Sequence, residues 1–270
     1  MSGTQHYIRG ASGIVLREAL RFLHQRERFI AALVRPLVWL VVFAAGFRNV
    51  LGVSIVEPYE TYILYEVYIV PGLIGMVQLF NGMQSSLSMV YDREMGNMRT
   101  LLVSPLPRWY LLLSKLLAGT AVSLFQVYAF LIFAVLLGVE LPLLGFLTVL
   151  PALILSGLML GALGLLLSSF IKQLENFAGI MNFVIFPMFF LSSALYPLWR
   201  MEEASEILHR ICAFNPFTHA VEMIRHALYQ QVEPVAVLAV LGALAVFAVG
   251  AVVGYDPSRG MLTRRGGPGG

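Results

Sequence analysis

The chain has 270 residues, of which 59% are hydrophobic and 12% are charged, and its formal net charge is +3. Soluble domains carry about twice that share of charged residues, so the composition excludes an ordinary soluble protein and indicates an integral membrane protein. Its single cysteine, Cys212, excludes an internal disulfide and a cysteine-rich metal site.

The first 28 residues are basic and contain no long apolar run. Read as a helix, residues 14–28 place leucines on one face and arginines on another. This spacing predicts an amphipathic helix on the membrane surface. The alternative is a basic flank that only orients the first span, and the pattern favours neither.

Six apolar runs are long enough to cross a hydrocarbon core of about 30 Å. They are Phe29 to Phe47, Tyr62 to Val90, Leu111 to Gly138, Gly145 to Phe170, Phe177 to Tyr196 and Val235 to Gly254. The chain is therefore predicted to be an all-α integral membrane protein with six transmembrane helices. Residues 29–254 form one membrane domain, between a cytoplasmic segment at 1–28 and a flexible tail at 255–270.

Two residues interrupt the first span. Arg35 is a candidate intramembrane polar residue, although its long side chain can reach the headgroups from near the start of a helix. Pro36 is expected to kink the helix there.

The distribution of Lys and Arg between alternate loops predicts the orientation. Most of these 18 residues lie in the N-terminal segment, the loop from Tyr91 to Lys115, position 172 and the tail. The opposite side carries Arg48, Arg200, Arg210 and Arg225. Both termini are therefore expected to face the cytoplasm.

The largest cytoplasmic loop reads YDREMGNMRTLLVSPLPRWYLLLSK, from Tyr91 to Lys115. Charged residues lead into a short amphipathic stretch from Asn97 to Val103, and prolines at 105 and 107 end it. The pattern fits a helix lying across the cytoplasmic side, which a partner could push to move both attached spans. It also fits an ordinary positively charged loop, and composition does not choose between the two.

The long outer connection, Pro197 to Glu233, predicts two short helices. Glu202 to Phe214 is amphipathic, Asn215-Pro216 breaks it, and a second helix begins near Thr218. These helices lie at the interface or re-enter the membrane, in which case protein or water must cover their irregular backbone.

Glu66 is the second candidate intramembrane polar residue, because it lies one or two turns inside the second span. An ionisable group at that depth is a candidate for proton or cation binding. Tyr62, Tyr65 and Tyr68 surround it in sequence, and we favour an aromatic belt at headgroup level as the explanation.

Other functional patterns are weak. His219, Glu222 and His226 share one helix face, but without a fourth ligand we favour a polar surface over a metal site. All five histidines lie outside the predicted spans, which argues against transmembrane haem ligation. No GxxxxGK[ST] motif occurs, so any ATP hydrolysis is expected on a separate partner.

Four segments carry a family resemblance: YDREMGNMRTLLVSPLPRWYLLLSKLLA, YIVPGLIGM, FFLSSALYPL and NPFTHAVEMIRHALY. Together they resemble the ABC-2 type permeases, the membrane subunits of ABC exporters. The wording EPYETYILYEVYIVPG and QLENFAGIMNFVIFP is also similar to permeases encoded beside bacterial quinoprotein alcohol-oxidation systems.

The resemblance implies a half-transporter of the bacterial cytoplasmic (inner) membrane that forms a homodimer and binds two copies of an ABC ATPase. ATP and Mg would bind the ATPase, whereas this chain would need no cofactor, perform no catalysis and bind no nucleic acid. The substrate path would lie at the dimer interface, lined by the second and fifth spans.

The resemblance also assigns roles to individual residues. The segment 92–103 would be the coupling helix, seated in a groove of the ATPase, and its contact residues would be Asp92, Arg93, Glu94, Gly96 and Arg99. Lys172 and Glu175 would form a second cytoplasmic contact. The basic N-terminal helix would be the connecting helix, and Asn215 and Pro216 would belong to an outer cap of re-entrant helices.

Two alternatives remain open. An ion-coupled secondary transporter would use Glu66 as its coupling group, and a non-catalytic membrane anchor would bind an ATPase without stimulating it. The substrate is not predicted.

Overall fold

The computed structural model describes residues 26–47, 57–59, 62–94, 107–171 and 173–255. These residues form helices and turns without a β-strand, which confirms the predicted all-α class for this part of the chain. In chain order the helices are α1 Arg26–Phe47, α2 Tyr65–Glu94, α3 Arg108–Leu136, α4 Gly145–Thr148, α5 Leu150–Phe170, α6 Leu174–Phe190, α7 Leu198–Ala204, α8 Glu206–Phe214, α9 Pro216–Leu228 and α10 Pro234–Gly254.

Helices occupy all six predicted spans, but they differ in apolar length. Among the described residues, three segments are long and apolar enough to cross a membrane: Trp109–Leu136, Gly145–Phe170 and Pro234–Gly254. Helices α1 and α6 contain shorter apolar stretches, Leu33–Phe43 and Leu174–Phe190. The six-span count therefore stays a prediction.

Two predicted boundaries are wrong. The fifth span ends at Phe190 rather than Tyr196, because residues 191–196 form turns. The fourth span has the predicted bounds, Gly145–Phe170, although a turn at Val149 divides it into α4 and α5. The predicted helix from Glu202 to Phe214 is two helices, because Ser205 has an extended backbone with φ −169° and ψ 125°.

The break predicted at Asn215-Pro216 is confirmed. Asn215 caps α9, since its side chain accepts a hydrogen bond from the Phe217 N–H, and Pro216 occupies the first helical position, where no backbone donor is needed. Val221, Ile224 and Leu228 of this helix are buried.

Helix α2 is the centre of the structure, and its residues 65–83 are all buried. One end of α2 packs near the turn at residues 193–195, whereas Glu94 at the other end contacts the start of α6. Helices α2 and α6 are therefore antiparallel. We call the two ends of the bundle the Glu94 end and the Arg225 end, after the residues described below.

Glycines bring α2 and α5 close together. A Cβ atom added at Gly82 would lie 2.9 Å from the Leu160 carbonyl oxygen, and one added at Gly164 would lie 2.6 Å from the Gly82 carbonyl oxygen. Small residues at such contacts let two helix backbones approach, which is how many helices associate in membranes.

The outer faces of the bundle are apolar. Helix α10 exposes Leu238, Val246 and Val249, and α3 exposes Phe125 and Leu136. Soluble proteins rarely expose continuous apolar faces of this size. These faces, together with the long apolar helices, define a multi-pass membrane protein.

We predict that Gly164→Ala destabilises the protein, because the new methyl group would overlap backbone atoms of α2. Overpacking of this kind costs about 1–3 kcal/mol, so the thermal unfolding midpoint in detergent should fall. Gly242→Ala on α10 is the control, since an added Cβ there meets nothing within 4 Å. Equal effects of the two substitutions would contradict the close packing of α2 and α5.

Candidate functional site

A side chain from α2 caps α6 at the Glu94 end. The Glu94 Oε2 atom accepts a hydrogen bond of 3.0 Å from the Leu174 backbone N–H. The first N–H groups of a helix have no partner within that helix, and the helix dipole favours negative charge near them. Glu94 therefore joins the last residue of α2 to the first residue of α6.

The structure describes only part of the predicted coupling segment. Asp92 and Arg93 belong to α2, but their side chains lie outside the described residues, as do Gly96, Arg99 and the rest of 95–106. Lys172 and residues 1–25 and 256–270 also lie outside them. Glu175 is exposed in the first turn of α6, one residue after Leu174. Of the residues predicted for the two cytoplasmic contacts, Glu94 therefore reaches the start of α6, where Glu175 also lies.

Midway along the bundle, polar side chains connect α2 with α3 and α5. Gln78 donates from Nε2 to the Leu153 carbonyl at 2.7 Å, and the Ser156 hydroxyl donates to Gln78 Oε1 at 2.6 Å. Asn81 donates to the Gly119 carbonyl at 3.3 Å. Polar groups at this depth need partners within the protein, because hydrocarbon supplies none.

Lys115 belongs to the same set of contacts. The charge pattern assigns it to the cytoplasmic loop, but α3 already begins at Arg108, and the Lys115 side chain is buried. Its Nζ atom donates to the Ser88 hydroxyl at 2.9 Å. A cavity of about 10 Å³ lies beside it, lined by residues that include Thr120 and Ser123, which is close to the space one water needs.

At the other end, Arg225 of α9 lies in the protein interior with an exposed fraction of only 2%. Its Nη2 atom donates to the Ser193 carbonyl at 2.9 Å, and Nη1 pairs with the Glu222 carboxylate. The guanidinium lies 4.2 Å from the centre of the Tyr68 ring, within the range of a cation–π contact. Arg225 therefore connects α9 with α2 and with the turn that follows α6.

Electrostatics keep this group charged. Burial by itself lowers the pKa of Arg225, but the Glu222 carboxylate and the neighbouring tyrosines reverse that effect and raise the pKa above its ordinary value. Burial also raises the pKa of Tyr229 to about 12.

The aromatic-belt prediction is wrong for two of its three tyrosines. Tyr62 is exposed, but Tyr65 donates to the Leu195 carbonyl at 2.8 Å and Tyr68 donates to the Ser193 carbonyl at 3.0 Å, and both rings are buried. Glu66 lies between them in the first turn of α2 and is 8% exposed. Glu66 thus faces protein rather than headgroups.

The other predicted polar residues are placed as follows. Arg35 lies with its guanidinium 3.9 Å from the centre of the Phe80 ring on α2. His226 contacts the Glu222 carbonyl of its own helix at 2.9 Å, while the Glu222 carboxylate is turned to Arg225. Within the described ranges, no group of three His, Cys, Asp or Glu residues could hold a metal ion.

Sequence reasoning misses the Arg225 contacts and the polar set around Gln78. The charge pattern treats Arg225 as a cation of an outer loop. Glu222, three residues earlier, could have indicated an ion pair, because residues at that spacing are neighbours on a helix. Gln78 and Asn81 share a face of α2 at a spacing of three, which could have indicated a polar seam.

The fold and these contacts define a multi-pass helical membrane protein whose helices are connected by polar contacts at both ends. Residues 12–229 match the ABC-2 type transporter family, and the chain belongs to this family.

Individual relatives agree with this assignment. The chain is 30% identical to the Cyanophora paradoxa protein named as transport permease ycf38, over 78% of this chain and 71% of that protein. It is 30% identical to Escherichia coli YbhR, named as a multidrug ABC transporter permease, over 62% of this chain and 45% of that protein. It is also 30% identical to nodulation protein J of Rhizobium leguminosarum bv. viciae, over 43% of this chain and 42% of that protein.

We predict that Glu222→Gln destabilises the protein strongly, because it leaves the Arg225 charge buried without its carboxylate. Breaking a buried pair in this way costs about 3–5 kcal/mol, which should lower the thermal unfolding midpoint in detergent. The matched control is Glu206→Gln on α8, which breaks an exposed pair with Arg210, both side chains being 72% exposed, and exposed pairs contribute little. A Glu222 variant as stable as the control would contradict the role given to Arg225.

Proposed function

We propose that this chain is the membrane-spanning permease subunit of an ATP-driven exporter. Two copies form the substrate pathway, and each couples to a separate ATPase through residues 92–103. ABC-2 permeases normally pair with an ABC ATPase. The observation that carries the proposal is the Glu94–Leu174 hydrogen bond, because it attaches α6 to the point where the coupling segment begins.

The six spans in this proposal are α1, α2, α3, α4 with α5, α6 and α10. The Glu94 end faces the cytoplasm of a bacterium, and the Arg225 end faces outward. The concentration of Lys and Arg in the segments that flank the Glu94 end supports this orientation in the inner membrane. Helices α7, α8 and α9 then form the outer cap.

The free energy that drives transport comes from a difference in how tightly two permease conformations bind the ATPase. ATP closes the ATPase dimer, and the outward-open permease must bind that closed dimer more tightly than the inward-open permease does. Hydrolysis of ATP then resets the equilibrium. ATP and Mg bind only the partner, and the permease performs no covalent chemistry.

The coupling residues divide into two roles. Asp92, Arg93, Gly96 and Arg99 contact the ATPase, whereas Glu94 also bonds the Leu174 N–H at the start of α6. Lys172 and Glu175 form the second contact. Because α2 and α6 are connected at this point, a push on the loop moves both helices.

The substrate pathway is proposed at the dimer interface along α6. The fifth predicted span, α6, exposes aromatic side chains, among them Phe183, which is 78% exposed. The second predicted span, α2, is buried between residues 65 and 83. An aromatic, apolar surface suits amphipathic molecules. The similarity to permeases of alcohol-oxidation clusters further suggests export of a metabolite or a component needed outside the cell.

We predict that ATP turnover in proteoliposomes depends on the permease and falls in Glu94→Ala, because that change removes the acceptor for the Leu174 N–H. Arg93→Ala/Arg99→Ala should also lower turnover by weakening the ATPase contact. Glu94→Gln keeps an acceptor oxygen, so it should retain more turnover than Glu94→Ala. Turnover that ignores all these changes in an intact complex would contradict coupling through this segment.

An ion-coupled transporter is the second candidate, and the buried position of Glu66 favours it. If the exporter proposal is correct, we predict that Glu66→Gln changes the transport rate and permease-stimulated ATP turnover by the same proportion, if it changes either. Loss of transport with unchanged ATPase stimulation would instead support ion coupling at Glu66. A bound ATPase that is never stimulated would identify a membrane anchor.

A further inference from the structure

Asn215 fastens the far end of α6 to the corner between α8 and α9. Its Nδ2 atom donates to the Met188 carbonyl and to the Leu191 carbonyl, each at 2.7 Å. Its Oδ1 atom accepts from the Phe217 N–H at 3.0 Å. One amide side chain therefore joins the end of α6 to the start of α9 through three hydrogen bonds.

The Met188 carbonyl is one of those that a helix end leaves without a helical partner, and the Leu191 carbonyl belongs to the residue that follows α6. The last four C=O groups of an α-helix have no N–H partner within that helix. In α6, Pro187 lies in this last turn. Both amide hydrogens of Asn215 are used to satisfy the carbonyl groups of residues 188 and 191. The contact is thus specific to an amide, because a residue without two adjacent donors cannot reproduce it.

Helix α6 is consequently held by a side chain from another element at each end. Glu94 of α2 holds its first residue, and Asn215 holds its last turn. The 17 residues between these ends span about 25 Å. A hydrogen-bonded helix is stiff along its axis, so displacement of one end is passed to the other rather than absorbed.

We propose that Asn215 is a positioning residue that transmits the movement of α6 to the α8–α9 corner, so that a push at Glu94 opens the opposite end of the pathway. This inference rests on the proposed exporter function. Arg225 attaches α9 to the Ser193 carbonyl just beyond α6, so α9 has a second contact that follows the same helix end.

Two substitutions separate this role from simple helix capping. Asn215→Ser keeps a hydroxyl that can cap α9 but removes both donors to α6. Asn215→Asp also keeps the cap and places a carboxylate against the Met188 and Leu191 carbonyls. A residue needed only as a cap would tolerate both changes, whereas a residue needed to link α6 with α9 would tolerate neither.

Cys212 provides a native probe of this corner. It is the single cysteine of the chain, it lies three residues before Asn215, and it is buried. Its carbonyl accepts from the Thr218 hydroxyl at 2.7 Å, so it moves with the start of α9. Burial raises the pKa of its thiol, so maleimide labelling is slow in the resting state and increases when the corner opens.

The experiment measures the maleimide labelling rate of Cys212 by mass spectrometry, in nanodiscs that hold the permease with its partner ATPase. Rates are compared without nucleotide and with ATP plus vanadate, together with ATP turnover and thermal stability. Wild type and the control Glu206→Gln should show a nucleotide-dependent change in the rate. Each lost hydrogen bond weakens an equilibrium roughly fivefold. Loss of both donors in Asn215→Ser should therefore shrink the nucleotide-dependent change about 25-fold, while ATP turnover persists.

Three results would overturn the inference. One is a nucleotide-dependent change in the Cys212 labelling rate that is as large in both Asn215→Ser and Asn215→Asp as in wild type. Another is a wild-type complex that hydrolyses ATP under permease control without any change at Cys212, which would leave the exporter proposal intact. The third is failure of any ATPase to associate, which would overturn both proposals. If Asn215→Asp is unstable, the neutral Asn215→Ser variant alone decides the first result.

Discussion

Polar groups buried in this bundle must find their partners within the protein, because surrounding hydrocarbon offers no hydrogen bonds. Side chains of helix α2 form hydrogen bonds with several neighbouring elements. Its tyrosines bond the turn after α6, Gln78 bonds α5, and Asn81 bonds α3. Its final residue, Glu94, bonds the start of α6. The arrangement of the other helices therefore depends on the polar side chains of one central helix.

The same contacts explain how a stiff bundle could change shape. Apolar packing between α2 and α5 is close, since glycines at 82 and 164 leave no space for a Cβ atom, so these helices are expected to move as one body. Helix α6 has large exposed aromatic side chains and polar attachments at its two ends. Rigid elements joined at a few hydrogen-bonded points can have two discrete arrangements, which is what a transport cycle requires.

The helical class, the positions of the main helices and the break at Asn215-Pro216 could be predicted from the sequence, because apolar runs, proline and a capping residue act locally. The end of the fifth span could not, because the apolar run continues past Pro187 into residues that form turns. Nor could the partners of Asn215, which lie on another helix. The burial of Lys115 and Arg225 could not be predicted either, because charge counting assigns cations to loops, whereas these two are held in the interior by tertiary contacts.

The central claim is that residues 92–103 bind a separate ATPase. The most direct measurement is site-specific photocrosslinking in membranes that contain both proteins, with the photoreactive residue at position 99 and, as a control, at position 203 on the exposed side of α7. The account predicts a crosslink to the ATPase from position 99 and none from position 203. No crosslink from position 99, or an equal yield from both positions, would contradict it.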